Sequence, residues 1–148
     1  MRQSRVVGDI VQIDLGDKQH AYAQVLSDGA FAFYDYIGPE ELSISQIVLR
    51  PILFMVAVMD HAVKRGRWII KGHAPSDSIK VPRPTFVQDD DNPASCFIYE
   101  NGALRPAERA ECIGLERAAA WDPTHVEDRL RDHANGRPNK WVESLKLQ

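Results

Sequence analysis

The stretch GDIVQIDLGDKQHAYAQVLSDGAFAFYDY, residues 8–36, contains three short apolar runs separated by two turn signals. In the first run Val11, Ile13 and Leu15 alternate with residues that point the other way, which is the period-two pattern of a β-strand. The pairs Gly16-Asp17 and Asp28-Gly29 supply turn chemistry, and Asp-Gly is among the strongest hairpin signals. The stretch therefore predicts three antiparallel strands of a small, strongly curved sheet, at about residues 8–15, 20–27 and 30–36.

Further strands and turns follow this meander. The run ILFMVAVMD, residues 52–60, is rich in apolar and β-branched residues and predicts a central strand. Ser43 is a candidate N-cap for a short helix that precedes it. Residues 74–84 contain three prolines, so we expect a surface loop there, followed by a short strand at residues 85–88. In CFIYENGALRP, Asn101-Gly102 predicts the turn of a hairpin.

The character of the chain changes after Pro106. Residues 107–121 are rich in Ala, Glu, Arg and Leu, which predicts helix. Asp122 followed by Pro123 is typical of an N-cap and first helical position, and this second helix should end near Gly136. The tail NKWVESLKLQ suits one more short helix. Strands first and helices last indicate an α+β fold, a curved, barrel-like antiparallel sheet followed by C-terminal helices, in a single domain over residues 1–148.

Composition and charge limit the range of possible functions. The formal net charge is −3, which argues against a nucleic-acid partner because phosphate binding usually brings a basic surplus. The longest apolar run, ILFMVAVM at residues 52–59, is far shorter than the ~20 residues that span a bilayer, and the N-terminus lacks the apolar core of a signal peptide. We therefore expect a cytoplasmic protein with no membrane contact. Its cysteines, Cys96 and Cys112, are expected to be buried and reduced.

Two groups of polar residues have competing explanations. His125, Asp128 and Asp132 share one helix face and could ligate a metal, but Arg129 and Arg131 among them favour a solvated face of ion pairs, so we predict no metal site and no cofactor. A basic cluster, His61, Lys64, Arg65 and Arg67, lies beside Trp68. It could grip a phosphate backbone, although most such clusters are exposed faces whose aromatic neighbour packs inward.

The acidic run Asp89, Asp90 and Asp91 offers three adjacent carboxylates. Such a loop could bind calcium, but the spacing does not fit the twelve-residue calcium loop. It could instead present charge to a basic partner, or be a solvated loop without a role. No catalytic motif of known spacing is present, so we predict no catalytic residues and favour a binding protein.

The stretch GDIVQIDLGDKQHAYAQVLSDGAFAFYDY together with RPILFMVAV resembles the immunity protein 26 family of bacterial polymorphic toxin systems. The likeness covers roughly the first two fifths of the chain, extends loosely to Arg65-Gly66-Arg67-Trp68, and is weaker from Asp89 onward. It implies a small cytoplasmic protein, encoded beside a toxin gene, that binds the toxin domain and blocks it without catalysis. The toxins of such systems are often basic nucleases.

From charge and exposure we therefore predict partner-binding residues; these are Glu40, Glu41, Asp89, Asp90, Asp91, Arg67 and Trp68. The carboxylates would sit over a positively charged substrate cleft of the toxin. Whether the protein is a monomer or a homodimer stays open.

Two alternatives belong to other functional classes. GDIVQIDLG is similar to the opening of the PemK-like endoribonuclease toxins, which are small barrels. The loop that would carry their basic catalytic residue is here only Gly16-Asp17-Lys18-Gln19 and has no arginine. A nucleic-acid-binding or ribonuclease-like protein that uses Arg65, Arg67 and Trp68 is the main alternative. A small-molecule sensor, with a pocket between the sheet and the C-terminal helices, is the other.

Overall fold

The structure is a computed structural model that describes residues 2–148. Within these residues the chain forms ten strands in two sheets and five α-helices. The strands are β1 (Asp9–Asp14), β2 (His20–Val25), β3 (Ala30–Tyr34), β4 (Ile52–Val58), β5 (Ile69–His73), β6 (Thr85–Gln88), β7 (Cys96–Glu100), β8 (Ala103–Ala107), β9 (Glu116–Arg117) and β10 (Ala120–Trp121). The helices are α1 (Ile44–Ile47), α2 (His61–Lys64), α3 (Arg109–Cys112), α4 (Pro123–Ala134) and α5 (Lys140–Ser144).

The first sheet contains the predicted meander. Its strand order is β10-β4-β3-β2-β1-β5, and all neighbours are antiparallel except β10, which runs parallel to β4. The register places Val11 opposite Ala23, and Ala23 opposite Phe33. The three predicted strands and the strand at β4 are thus confirmed, with ends that differ by one or two residues.

The main core lies on one face of this sheet. Val11, Ile13 and Leu15 point into it, as their alternation predicts. The ring of Trp68 meets those of Phe31 and Phe33 edge-on, with centroids 5.6 and 5.8 Å apart. Helices α4 and α5 contribute to the same core. The opposite face is covered by α1, whose N-cap Ser43 accepts a hydrogen bond from the Gln46 N–H, so the predicted short helix is confirmed.

The second sheet has the strand order β8-β7-β6-β9. The predicted strand at residues 85–88 and the predicted hairpin are both present. Asn101 and Gly102 have φ values of 52° and 76°, and two positive φ values are what a tight type I′ turn requires. One face packs on α3 through Cys96 and Cys112, which are buried, free thiols as predicted.

The prediction of a helix over residues 107–121 is wrong. Only one turn, α3, forms, and Gly114 follows it with a φ of +85°. The chain then runs extended: β9 pairs parallel with β6 of the second sheet, and β10 pairs parallel with β4 of the first. This segment joins the two sheets, and its strand pairing overrides a helix propensity worth only a few tenths of a kcal/mol per residue.

The α+β class and the C-terminal helices are confirmed, but the sheets do not close into a barrel. The first sheet stays open, with β10 and β5 as its edges. Helix α4 begins at Pro123 as predicted, and its N-cap Asp122 accepts a 2.8 Å hydrogen bond from the Thr124 N–H. Across residues 2–148, no helix combines the length and the apolar character needed to cross a membrane.

Candidate partner-binding surfaces

The predicted acidic residues Glu40 and Glu41 lie on the exposed loop that follows β3. The Tyr36 hydroxyl accepts a hydrogen bond from the Glu40 N–H at 3.1 Å, which orders the loop. The Glu41 carboxylate accepts a hydrogen bond from Gln12 Nε2 at 3.1 Å and lies 3.8 Å from Lys71 Nζ. The Gln12 hydrogen bond, followed by the charge of Lys71, lowers the pKa of Glu41 below its ordinary value. Glu41 is therefore an ionised group whose side chain is held by the Gln12 hydrogen bond and by the nearby Lys71.

The predicted acidic run Asp89–Asp91 forms the turn between β6 and β7. Asp89 Oδ1 accepts hydrogen bonds from the main-chain N–H groups of Asp91, at 2.8 Å, and Asn92, at 3.3 Å. All three aspartates are exposed. In the part of the chain that the structure describes, none of them has a basic side chain within 4.0 Å. The turn consequently presents negative charge that the protein does not neutralise.

The two acidic groups belong to different sheets. Glu41 sits against β1 and β5 of the first sheet, through Gln12 and Lys71. Asp89–Asp91 extend from the second sheet. Among residues 2–148 no hydrogen bond or ion pair joins them, so the structure does not bring the predicted carboxylates into one cluster.

The predicted contact residues Arg67 and Trp68 belong to a buried network with Glu127 of α4. The Trp68 ring is fully buried, and its Nε1 donates to Glu127 at 3.0 Å. Arg67 donates to both carboxylate oxygens of Glu127 at 2.7 Å, and these bonds raise the pKa of Arg67. Trp68 is therefore a core residue with no surface for a partner to touch, which corrects its assignment as a direct contact, while Arg67 remains half exposed.

The candidate metal residues on α4 take part in packing with the chain that follows. The His125 ring stacks on the Trp141 ring, with centroids 3.6 Å apart. Asp128 accepts a hydrogen bond from Trp141 Nε1, and Asp132 accepts one from Asn139 Nδ2. No group of three or more potential metal ligands exists within residues 2–148. This face of α4 therefore packs against α5 and the segment that precedes it.

A cleft of about 290 Å³ separates the two sheets. Met55 and Ala57 of β4 line one side, and Tyr99 of β7 lines the other. The Tyr99 hydroxyl donates to the Asp28 carboxylate at 3.2 Å, and this bond raises the pKa of Tyr99. Sequence reasoning missed this cleft because it depends on how the two sheets meet.

A second groove, of about 470 Å³, lies between the loop after α3 and the C-terminal segment. Ile113 and Leu115 line it on one side, and Val142 and Leu145 on the other. Arg109 holds the segment in place by donating to the main-chain oxygen of Gln148 at 2.9 and 2.6 Å. The sensor alternative expects a pocket in this region, but within residues 2–148 none of the buried polar side chains lines the groove.

Two further features could have been found in the sequence. Pro123, Val126 and Leu130 follow helical spacing, and Glu127 lies inside the same stripe, so its burial is predictable. In CFIYE both alternation phases are apolar, Cys96 and Ile98 in one and Phe97 and Tyr99 in the other. That pattern is typical of a strand with two faces that need cover.

Comparison with protein families gives a match. A family model described as Immunity protein 26 matches residues 6–97, more than half of the chain. The matched part runs from the residues before β1 to the start of β7, and so contains the whole meander. No curated protein and no solved structure matches the chain.

Proposed function

The chain belongs to the Immunity protein 26 family, and we propose that it is the immunity protein of a bacterial toxin system, one that binds a cognate toxin domain in the cytoplasm. The observation that carries this proposal is the family match over residues 6–97. The protein acts as a stoichiometric inhibitor and not as an enzyme. It blocks the toxin by covering its active site or substrate groove.

The architecture supports inhibition by a rigid surface. The first sheet is packed on both faces, by α4 and α5 on one side and by α1 on the other. The connections between β1 and β2 and between β2 and β3 are short. The Glu40 loop, part of the longer connection between β3 and β4, is held by hydrogen bonds with the Tyr36 hydroxyl. A rigid inhibitor loses less conformational entropy on binding, which is one route to a tight complex.

The charge of the exposed acidic groups supports a basic partner. Glu40, Glu41 and Asp89–Asp91 are exposed, and the chain carries a net charge of −3. A surface of this sign accelerates encounter with a positively charged domain and disfavours acidic partners. A nuclease has such a basic substrate cleft, so we propose a nuclease as the target class and these five carboxylates as steering or contact groups. Arg67 contributes only through the half of its side chain that Glu127 leaves exposed.

The ribonuclease-like alternative receives less support. It requires an aromatic ring beside the basic cluster on which a base can stack. The Trp68 ring is instead buried against Phe31 and Phe33. Lys64 and Arg65 remain exposed, but without that ring the cluster lacks a stacking surface.

Co-expression tests the proposal. The protein is produced in bacteria together with the toxin domain encoded by the gene adjacent to its own, and growth is compared with that of cells that express the toxin alone. We expect growth to be rescued and the two proteins to co-purify as a stable complex. A protein that is well folded and abundant, yet neither rescues growth nor binds the toxin domain, would contradict the proposed function.

A further inference from the structure

One face of the second sheet is only partly covered by the rest of the described chain. Successive side chains of a strand point to opposite faces. In β6 and β7 the covered face carries Phe86, Cys96 and Ile98, which pack with Cys112 of α3. The register places two cross-strand rows on the opposite face, Val87 with Phe97 and Pro106, and Thr85 with Tyr99 and Leu104.

This face is apolar and incompletely packed: Val87, Phe97 and Tyr99 are half-buried, whereas Leu104 and Pro106 are exposed. Within residues 2–148, neither Val87, Phe97 nor Leu104 belongs to, or packs against, any of the buried apolar clusters. The Leu104 side chain is 55% exposed. A contiguous apolar surface that is left partly exposed and contains aromatic residues is typical of a protein-binding surface.

The face continues into the cleft between the sheets. Thr85 and Tyr99 belong to its second row and also line the cleft. Beside them lies Val81, which is 69% exposed, and Met55 of the first sheet forms part of the opposite wall. Thr85 and Tyr99 thus join the sheet face to the cleft. We call the combined surface the second-sheet face (Thr85, Val87, Phe97, Tyr99, Leu104 and Pro106, with the adjoining cleft).

The charges at its ends indicate what binds there. Asp89–Asp91 stand at one end of β6 and β7, and Glu100 and Asp28 stand at the other. Two arginines line the cleft: Arg83 is exposed, and Arg117 donates to main-chain oxygens of the C-terminal segment. The five carboxylates at the two ends thus outnumber these two cations. Two copies of this chain joined through it would bring these carboxylates together, which disfavours a homodimer of this kind.

We propose that the second-sheet face is the surface that binds the toxin domain, through an apolar contact centred on Phe97 and Tyr99 and surrounded by basic residues of the toxin. This inference rests on the proposed function, and it names the surface that performs it. Contact through the face is favoured over strand addition at the edge strand β8, because Pro106 has no N–H to pair with an added strand.

Substitution to glutamate at two positions tests this surface. Leu104→Glu changes an exposed side chain, and Phe97→Glu changes the centre of the face; Ile113→Glu is the matched control, since Ile113 is 66% exposed beyond the other face of the sheet. Affinity is measured by titration calorimetry against the toxin domain encoded by the adjacent gene. Circular dichroism checks the fold, and light scattering on a sizing column gives the oligomeric state.

We expect Leu104→Glu and Phe97→Glu to weaken binding by about 30-fold or more, as at the centre of an interface, and Ile113→Glu to bind like the wild type. If the wild type binds the toxin domain and folded Leu104→Glu binds equally well, the surface assignment is overturned while the proposed function stands. If the wild type is a dimer that Leu104→Glu makes monomeric, the occupant is a second copy and the inference is wrong. If the wild type binds no toxin domain, both proposals fail.

Discussion

Glu127 links the helical layer to the sheet through a single buried carboxylate. It is only 3% exposed, and it accepts three hydrogen bonds, two from Arg67 and one from Trp68 Nε1. A buried charge is tolerated only when it is paired and hydrogen-bonded, and these bonds satisfy both oxygens. Because Trp68 packs edge-on against Phe31 and Phe33, the same carboxylate fixes the orientation of a central ring of the core.

Glu127→Ala should lower the free energy of unfolding by about 2–3 kcal/mol, because it leaves the Trp68 N–H buried without an acceptor. This decrease in the free energy of unfolding is smaller than the decrease for a fully buried ion pair, because the half-exposed Arg67 can hydrogen-bond to water instead. Urea unfolding measured by tryptophan fluorescence gives the value. Glu143→Ala is the matched control, because its pair with Lys146 lies on the surface and contributes little. Equal stability of wild type and Glu127→Ala would refute this role.

At the scale of elements, α4 shows how a local signal determines a boundary. Asp122 accepts hydrogen bonds from the N–H of Thr124, at 2.8 Å, and from its hydroxyl, at 2.6 Å. Pro123 then occupies the first helical position. The two Thr124 bonds lower the pKa of Asp122, with the side-chain bond the larger cause. The helix therefore begins where a charged acceptor meets otherwise unpaired N–H groups.

Asp122→Ala should lower the free energy of unfolding by about 1 kcal/mol at pH 7. Because the pKa of Asp122 is lower in the folded than in the unfolded state, its charge stabilises the fold above the unfolded pKa of about 3.9, and that contribution is lost as the pH falls through the folded pKa. The deficit of the variant should thus shrink below about pH 4, as urea unfolding at several pH values will show. Asp122→Asn keeps a capping oxygen and should lose only a few tenths of a kcal/mol at pH 7. A deficit independent of pH would contradict the ionic part of this account.

The elements that the sequence predicts correctly are those with a local physical cause. Alternation predicts the meander, the Asn-Gly dipeptide predicts the turn at residues 101–102 because both residue types tolerate positive φ, and the Asp-Pro cap predicts the start of α4. The helix prediction for residues 107–121 fails because pairing with β6 and β4 decides their conformation, and both strands are distant in sequence. The assignment of Trp68 as a surface contact fails because residues of β3 and α4 surround its ring. The sequence around Trp68 does not indicate these contacts.

At the scale of the whole molecule, the candidate site has two parts. The exposed carboxylates can be predicted from the sequence, and the apolar second-sheet face results from packing. Exposure of Asp89–Asp91 and of Glu40 and Glu41 is foreseeable from their composition, and all five are exposed. The second-sheet face is not foreseeable in the same way, because the alternation of CFIYE does not tell which phase α3 covers. The structure places the Asp89–Asp91 turn at one end of this face, so an acidic loop and an apolar surface adjoin.

Replacing the three aspartates by asparagine should therefore slow association with the toxin domain more than it speeds dissociation. We expect the association rate at low salt to fall about tenfold, and its dependence on ionic strength to weaken, because the change removes steering charge and leaves the apolar contact intact. Stopped-flow mixing at several salt concentrations measures both rates. The matched control is Glu40→Gln with Glu41→Gln, which removes carboxylates from the first sheet and should slow association less for each charge removed. A larger effect of the glutamate pair would move the contact to the loop after β3, and a change confined to the dissociation rate would make the aspartates direct contacts.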